Sequence, residues 1–309
     1  MKITLEDKLK RIKKVFGKEV LHTLVNPQVS SQDVCKYYKT NRLAYSLLHS
    51  RTNCVHMAIS RDLKYKEEDL FEGAKFVKKY IKQTNAKEVL EIACGRGANT
   101  LYLARNCPDV NFEGLDISPA QLSYAQKNSK RINNAKFSIG NYHDLNSIKN
   151  DSKDIIFVIE ALCHSNDKKK VLKEVKKKLT KEGILIILDG YLNKSLAELS
   201  NNEILAKRYV ERGMAVNSFA YYPALVESAN NLGFKVIHEE DATEFIIPNL
   251  RKLERLSKVL FNFTPTAKLL VKVLPFEFTK NAIAAYLFPE IMQKKVANYM
   301  ITVLQTSTT

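Results

Sequence analysis

The chain has 309 residues, of which 45% are hydrophobic and 27% are charged. This balance allows a buried core and excludes wholesale disorder, and the length suits one large domain with additions or two small domains. The formal net charge of +16 leaves nucleic acid, an anionic membrane or an acidic substrate as partners, beside plain solvation of helix faces by lysine.

The five cysteines are scattered and form no C-x-x-C pair, which argues against a disulfide framework or a zinc site and for a reducing compartment. Charges interrupt the N-terminal segment every few residues, so no apolar stretch of signal-peptide length is present there. No apolar run approaches the roughly 20 residues that cross a bilayer. We therefore expect a cytoplasmic protein without a metal.

Short apolar runs alternate with amphipathic stretches through the middle of the chain, a pattern that predicts β-α-β units and a mostly parallel sheet. Helices are predicted at 119–130 with Ser118 as N-cap, at 168–179, and at 222–231 with Gly233 at the end. The predicted strands are 87–93, 110–116, 135–140, 154–160, 183–190, 234–240 and 297–305.

Two regions lie outside this alternation. Residues 1–84 are predicted to form a helical cap before a core at 85–240, and residues 241–295 a helical lid before a final strand and tail at 296–309. Prolines are expected to break the helices of the lid. These are Pro248, Pro265, Pro275 and Pro289.

The stretch KEVLEIACGRGANTLYLA predicts a strand, a glycine-bearing turn and a helix. Gly95 and Gly97 allow a sharp bend and a close approach of ligand to backbone. Glu91 at the strand end suits a cationic ligand better than a phosphate, Asp116 at the next strand end can accept both hydroxyls of a ribose, and Asn141 follows the third strand, where it can reach an adenine amine. Together they predict a nucleoside pocket at the carboxyl edge of the sheet.

The ordered series ExACGxG, LDIS, GNYHDL and DIIFVIEALCH, over roughly residues 86–190, resembles the motifs of class I S-adenosylmethionine-dependent methyltransferases. The resemblance implies an α/β, doubly wound sheet of seven strands, mostly parallel with the last strand antiparallel. It also implies that S-adenosylmethionine is the cofactor. The residues expected to bind it are Glu91, Ala93, Cys94, Gly95, Gly97, Asp116, Ile117, Asn141, Tyr142 and Glu160.

The sequence departs from this family at two positions. Ala93 stands where the family usually has its first glycine, and Asn141 stands where an aspartate is common. A methyl group is a mild steric change, and an amide still accepts a hydrogen bond. We therefore expect that cofactor binding survives both departures.

Glu160 and His164 follow the fourth strand at i and i+4 and are the candidate catalytic residues. The N/D-P-P-Y/F motif of enzymes that methylate nucleic-acid amines is absent at this place. The E-A-x-C-H sequence instead is similar to that of sterol and other lipid-type C-methyltransferases. The segment that begins at Tyr37 also resembles the aromatic N-terminal region of that group. This resemblance places four residues near the substrate, namely Tyr37, Tyr38, Tyr45 and His56.

Methyl transfer from a sulfonium depends mostly on alignment, so His164 is needed as a base only when the acceptor carries a proton. Glu160 and tyrosine faces would stabilise a carbocation formed on an alkene acceptor. Structural roles compete with these, because His164 is able to cap the following helix, Glu160 to orient the cofactor and the tyrosines simply to pack. Cys94 and Cys163 lack an activating pattern, and no nucleophilic cysteine is expected.

The predicted function is methyl transfer to a small, apolar or lipid-like acceptor, with carbon, oxygen and nitrogen all open as the acceptor atom. The alternatives are an RNA-modifying or RNA-binding protein, favoured only by the positive charge, and a non-catalytic subunit with the cofactor fold. The basic amphipathic stretch after Leu250 fits a lid packed on the sheet, which we prefer, or a peripheral membrane contact.

Overall fold

A computed structural model describes residues 3–25, 28–42, 45 and 49–306, and these form one seven-stranded sheet flanked by helices. The strands are β1 (Glu88–Ile92), β2 (Asn111–Asp116), β3 (Ala135–Ile139), β4 (Lys153–Ile159), β5 (Leu179–Leu192), β6 (Phe234–Asp241) and β7 (Ala297–Thr306). Their order across the sheet is β3-β2-β1-β4-β5-β7-β6. Only β7 is antiparallel to its neighbours within this sheet, so the predicted fold class is confirmed.

The central strands are almost continuously apolar because helices cover both faces of the sheet. In β4, for example, Ile155 to Ile159 are all buried. Strand β5 begins at Leu179, earlier than its predicted start, since Leu179 already pairs with Lys153. The strand order reverses beside β1, which places its carboxyl end at the switch point where such sheets bind ligands.

Helices fill the connections and both additions. They are α1 (Leu5–Phe16), α2 (Lys18–Val25), α3 (Ser31–Thr40), α4 (Glu72–Thr84), α5 (Ala98–Asn106), α6 (Pro119–Ser129), α7 (Lys168–Lys178), α8 (Asn201–Gly213), α9 (Tyr222–Asn231), α10 (Thr243–Asn262), α11 (Thr264–Val273) and α12 (Phe276–Gln293). Ser118 caps α6 by accepting a hydrogen bond from the Gln121 N–H, as predicted. Gly233 adopts a φ of +76° beyond α9, where a glycine end was expected.

The prolines of the insertion divide into two groups. Pro265 lies in the first turn of α11 and Pro275 immediately precedes α12, where a fixed φ suits a helix start. The expected breaks at Pro248 and Pro289 are wrong, because both residues lie inside helices. Each proline removes one N–H donor, and buried flanking residues such as Ile246 hold the helix together across the gap.

The two predicted additions pack against each other. Helix α1 contacts α10, α11 and α12, and helix α3 contacts α12. The Lys8 ammonium lies 2.8 Å from the Glu254 carboxylate, with both side chains buried, and it also donates to the Tyr286 carbonyl oxygen at 3.2 Å. The N-terminal helices and the insertion therefore build one helical layer. Within the described residues, no helix combines the length and apolarity needed to cross a bilayer.

Candidate functional site

The turn after β1 contains three residues with left-handed backbone, namely Ala93, Gly95 and Gly97, with φ of +57°, +54° and +71°. A Cβ on Gly97 would lie 2.6 Å from the Phe137 ring and 2.8 Å from the Ala125 methyl group, so this position requires glycine. A Cβ on Gly95 would meet no atom within 4 Å. Gly95 therefore presents bare backbone to the open space beside it, whereas Ala93 carries the steric cost of a side chain in this conformation.

Glu91 lies behind the turn. Its carboxylate accepts hydrogen bonds from the Asn99 amide at 3.2 Å and from the Thr100 N–H at 3.1 Å, and it also binds the Thr100 hydroxyl. Burial raises the pKa of Glu91 to about 7. The side chain thus anchors the first turn of α5 and does not line the neighbouring cavity, so the structure gives it a role in shaping the turn.

Asp116 ends β2 on the other side of the turn. Its two carboxylate oxygens accept from the Gly95 N–H at 2.9 Å and the Ser118 N–H at 2.8 Å. Burial raises its pKa, while these two hydrogen bonds oppose the rise. Each carboxylate oxygen has a further lone pair, and the residue lines a cavity, so it can still accept from a ligand.

The edge cavity lies at the carboxyl ends of β1, β2 and β4 and encloses about 640 Å³. The residues predicted to bind the cofactor that line it are Ala93, Gly95, Asp116, Ile117, Tyr142 and Glu160. Four others lie outside the lining, namely Glu91, Cys94, Gly97 and Asn141. Sequence reasoning missed Gln121, although its place in the first turn of a helix that follows a ligand-binding strand end was a usable signal.

Asn141 is exposed and turned away from the edge cavity. Its amide oxygen accepts a hydrogen bond from the His143 N–H at 2.9 Å. Asparagine side chains commonly bond to backbone groups a few residues away in this manner. The bond to His143 therefore competes with a bond from Asn141 to a ligand. The structure places Gly140 and Tyr142 at the cavity instead, on either side of Asn141.

The inner cavity adjoins the edge cavity and encloses about 620 Å³. Five residues line both cavities, including Tyr38, Glu160 and His164. Glu160 has a φ of +50°, and its carboxyl group accepts from the Met57 N–H at 2.7 Å. Burial raises the pKa of Glu160 to about 8. The Met57 hydrogen bond opposes this rise, and the charge of Asp189 adds to it.

His164 is held in one tautomer. Its Nδ1 lies 3.0 Å from the Ala215 carbonyl oxygen, which only accepts, so Nδ1 carries the hydrogen. Nε2 then accepts from the Tyr38 hydroxyl at 3.1 Å. Burial lowers the pKa of His164 to about 4, so the ring is neutral near pH 7. The helix-cap alternative is wrong, because Asp167 caps α7.

The predicted aromatic residues converge on the inner cavity. Tyr37, Tyr38, Tyr45 and His56 all line it. The Tyr37 hydroxyl donates to the Asn281 amide oxygen at 3.0 Å and lies 2.7 Å from the Tyr45 hydroxyl, which makes the Tyr45 hydroxyl the donor of that pair. The tyrosines therefore form a hydrogen-bonded wall between the strand ends and α12.

Asp189 and Tyr299 also line the inner cavity, and the sequence analysis did not predict them. Asp189 lies in β5 and accepts from the Cys163 N–H at 2.8 Å and the Gly190 N–H at 2.7 Å, and burial raises its pKa to about 6. In the sequence, Asp189 directly follows the apolar run ILIIL, and a carboxylate at such a strand end could have been predicted to lie at the site. Tyr299 comes from β7 and faces Glu160, a placement that depends on the reversed direction of this strand.

The apolar cavity continues outward from the inner cavity and encloses about 1450 Å³ between α10, α11 and α12. Tyr37, Tyr45, Met57, Met214 and Phe288 line both. The remaining lining is mostly leucine, valine, alanine and phenylalanine. Three adjoining cavities thus lead from the glycine turn, through a polar middle, to an apolar outer part. Among the described residues, no group of three or more His, Cys, Asp or Glu is placed to hold a metal.

Comparison with known proteins shows that the core is similar to methyltransferases. Residues 83–227 match a family described as "Methyltransferase domain". Demethylmenaquinone methyltransferase of Thermotoga maritima is 32% identical over 115 residues, which are 37% of this chain and 48% of that protein. Phthiotriol/phenolphthiotriol dimycocerosates methyltransferase of Mycobacterium leprae is 31% identical over 146 residues, 43% of this chain and 53% of that one. The chain thus spans about half the length of the curated relatives it matches.

A solved structure extends the likeness over nearly the whole chain. Mycolic acid cyclopropane synthase, complexed with SAH and CTAB, superposes with a TM-score of 0.74 over 91% of this chain and 99% of that one. The identity is 14%, so this likeness shows a shared fold.

Proposed function

We propose that the protein is a class I S-adenosylmethionine-dependent methyltransferase that transfers a methyl group to a small, apolar or lipid-like acceptor. The match of residues 83–227 to a methyltransferase domain supports the reaction type. The observation that carries this proposal is the row of three adjoining cavities. The edge cavity would hold the cofactor, the inner cavity the reacting atoms, and the apolar cavity the remainder of the acceptor.

The residues of the edge cavity fit the cofactor. Asp116 offers carboxylate lone pairs to ribose hydroxyls, and the bare backbone of Gly95 leaves room for close approach. Glu160, where the edge and inner cavities meet, offers a carboxyl group to a cation. The bound cofactor supplies a methyl group on a positively charged sulfonium.

The chain's own residues would then align and deprotonate the acceptor. The cofactor would give up its methyl group from sulfur to the acceptor atom in one displacement, and the residues between the edge and inner cavities would supply the alignment on which most of the rate depends. An acceptor that carries a proton must lose it. The neutral His164 ring can take this proton at Nε2 when an acceptor hydroxyl replaces Tyr38 there. Glu160 is mostly protonated without ligand, but a positive charge beside it favours the ionised form, which would stabilise a cation on a carbon acceptor.

The lining of the two outer cavities favours an amphipathic acceptor. The inner cavity has carboxyl, imidazole and phenol groups for a polar reacting end, and the apolar cavity has few groups other than hydrocarbon for the rest. The two curated relatives, named for demethylmenaquinone and phthiotriol dimycocerosates, support this acceptor class over RNA. We place the reaction in the cytoplasm, because the five cysteines are free thiols and a reducing compartment keeps them so.

Transfer of a labelled methyl group tests the proposal. The protein is incubated with methyl-labelled S-adenosylmethionine and a cell extract, which is then separated into lipid, small polar and RNA pools. Label should appear in the lipid pool or among apolar small molecules. Label mainly in RNA would overturn the acceptor class, and no transfer to any pool would favour the non-catalytic alternative.

Asp116→Ala provides the matched test of the cofactor site. The loss of a carboxylate acceptor should weaken S-adenosylmethionine binding by about 1–3 kcal/mol in calorimetry and lower the label transferred. Asp144→Ala is the control, since Asp144 is exposed in a neighbouring loop and lies outside the lining of the edge cavity. Equal affinities for the two variants would contradict the assignment of Asp116.

A further inference from the structure

The apolar cavity opens on the protein surface at the end of α10. Leu256, Val259 and Phe263 line the cavity and are also exposed to solvent, Val259 by 68% and Phe263 by 66%. Side chains of this size usually turn their apolar area inward. Here they form a rim around the opening, so the way into the cavity is itself apolar.

The exposed apolar surface continues from this rim along α11. Leu269 and Val273 are 63% and 70% exposed, and Phe276 follows at the start of α12. Neither Leu269 nor Val273 lines the apolar cavity. Single exposed apolar residues are ordinary, but six of them within residues 256–276, three of which line the cavity mouth, favour an interaction surface. We call these six residues the apolar rim: Leu256, Val259, Phe263, Leu269, Val273 and Phe276.

Positive charge surrounds the apolar rim. Residues 255–276 contain no aspartate or glutamate, and they contain Arg255, Lys258, Lys268 and Lys272. The two carboxylates that flank this stretch along the chain are both paired: Glu254 is buried beside Lys8, Arg251 and Lys258, and Glu277 lies 2.6 Å from Lys36. Basic side chains around exposed hydrocarbon complement the surface of an anionic bilayer, which offers negative head groups above an apolar interior.

We propose that the apolar rim docks on an anionic lipid bilayer and that the acceptor enters the apolar cavity from that bilayer. The inference rests on the proposed function, to which it adds the partner and the route. The mouth would face the bilayer, so an amphipathic acceptor can place its polar end in the inner cavity while its apolar part remains shielded from water. The exposure of the rim favours membrane contact over the closed lid expected from the sequence.

Vesicle flotation tests the docking surface without any need for catalysis. The full chain is mixed with vesicles of phosphatidylcholine, or of phosphatidylcholine with about 30 mol% phosphatidylglycerol. It should float with the anionic vesicles and much less with the neutral ones. Leu269→Ser/Val273→Ser should weaken the partition into anionic vesicles at least about tenfold, because two exposed apolar side chains are lost. Lys268→Gln/Lys272→Gln should weaken it by a similar factor.

The control is Ile139→Ser/Leu196→Ser, which removes two apolar side chains of similar exposure, 63% and 56%, outside the rim. Its partition should equal that of the unchanged protein. Three results would overturn the docking surface: no flotation with anionic vesicles, an equal loss in the control, or self-association of the unchanged protein that Leu269→Ser/Val273→Ser abolishes while flotation persists. The last result would assign the rim to a second copy.

Methyl transfer with the acceptor dispersed in detergent separates this inference from the proposed function. Leu269→Ser/Val273→Ser should keep its activity in detergent and lose it when the acceptor is supplied in vesicles. Flotation as expected without any methyl transfer would support the docking surface and reject the proposed chemistry. Equal activity of both proteins on acceptor in vesicles would reject the bilayer route.

Discussion

Ala93 holds a backbone conformation that side chains disfavour. With a φ of +57° at the start of the glycine turn, its Cβ lies too close to the following carbonyl oxygen. The sequence indicated a mild steric change at this place. The structure shows that the cost is conformational and lies in the folded protein itself, since Ala93 lines the edge cavity without blocking it.

Ala93→Gly should therefore stabilise the protein by about 1 kcal/mol, because glycine adopts this φ without strain. Urea unfolding followed by circular dichroism measures the change. Ala104→Gly, inside α5, is the control and should destabilise by about 1 kcal/mol. Destabilisation by both substitutions would show that the turn gains nothing from glycine at residue 93.

At the scale of single residues, sequence patterns predicted where a residue lies in the fold better than where its side chain points. Gly97 and Asp116 act through backbone and strand ends, which the order of the elements largely determines. Glu91 and Asn141 stand at the expected places along the chain, yet their side chains bind Thr100 and His143. Such local competition between hydrogen-bond partners depends on side-chain geometry that residue spacing does not encode.

At the scale of elements, the contact between α1 and α10 depends on a buried ion pair. Burial alone would raise the pKa of Glu254, but the hydrogen bonds and charges of Lys8 and Arg251 lower it to about 2. The Lys8 ammonium also lies 5.1 Å from the centre of the Tyr286 ring. This cluster fixes the first helix of the chain to the insertion.

Lys8→Met should destabilise the protein by about 3 kcal/mol, since it leaves a buried carboxylate with fewer partners. Lys10→Met is the control, because Lys10 is exposed and its ion pair with Glu6 lies at the surface; its effect should be much smaller than that of Lys8→Met. Both are measured by urea unfolding. Adding Glu254→Gln to Lys8→Met should recover part of the loss, and a loss that persists undiminished would reject the ion pair as its cause.

Most elements of the core followed from hydrophobic periodicity, since all seven strands and the three helices predicted with bounds, α6, α7 and α9, lie close to their predicted places. Helix α8 was not predicted. The additions were harder to predict. Pro248 and Pro289 do not end their helices, because packing on both sides outweighs one missing hydrogen bond. That Tyr37 and Tyr299 reach one cavity follows from contacts between residues far apart in sequence, which periodicity does not report.

At the scale of the whole molecule, buried carboxyl groups should make stability decline above pH 6.5. The pKa values of Glu91 and Glu160, about 7 and 8, exceed those of an unfolded chain, so the folded protein retains protons that the unfolded chain releases and loses stability as the pH rises to 8. The pKa values of His49 and His164, about 4, lie below the unfolded value, so these two groups add stability as the pH rises from 4 to 6.5. In that range their gain offsets the loss from the carboxyl groups, which include Asp189 with a pKa of about 6, and above pH 6.5 the loss remains.

Without cofactor, the free energy of unfolding should fall by about 2–3 kcal/mol between pH 6.5 and 8.5. Urea unfolding at several pH values measures this decline. Glu160→Gln should remove most of it, because glutamine mimics the protonated carboxyl and can still accept from the Met57 N–H. A decline of the same size in the variant would show that Glu160 is already ionised at pH 6.5.

The hydrogen bonds between α3 and α12 affect when the inner cavity can form during synthesis and which segments must be exchanged to change it. Tyr37 donates to Asn281, the Asn41 amide donates to the Glu277 carbonyl oxygen at 3.2 Å, and Lys36 pairs with Glu277 at 2.6 Å. A ribosome makes the glycine turn and its neighbouring strands well before α12, so the tyrosine wall cannot form until α12 has been made. A graft intended to change the acceptor must therefore carry the N-terminal helices and the insertion together, whereas the glycine turn can stay as it is.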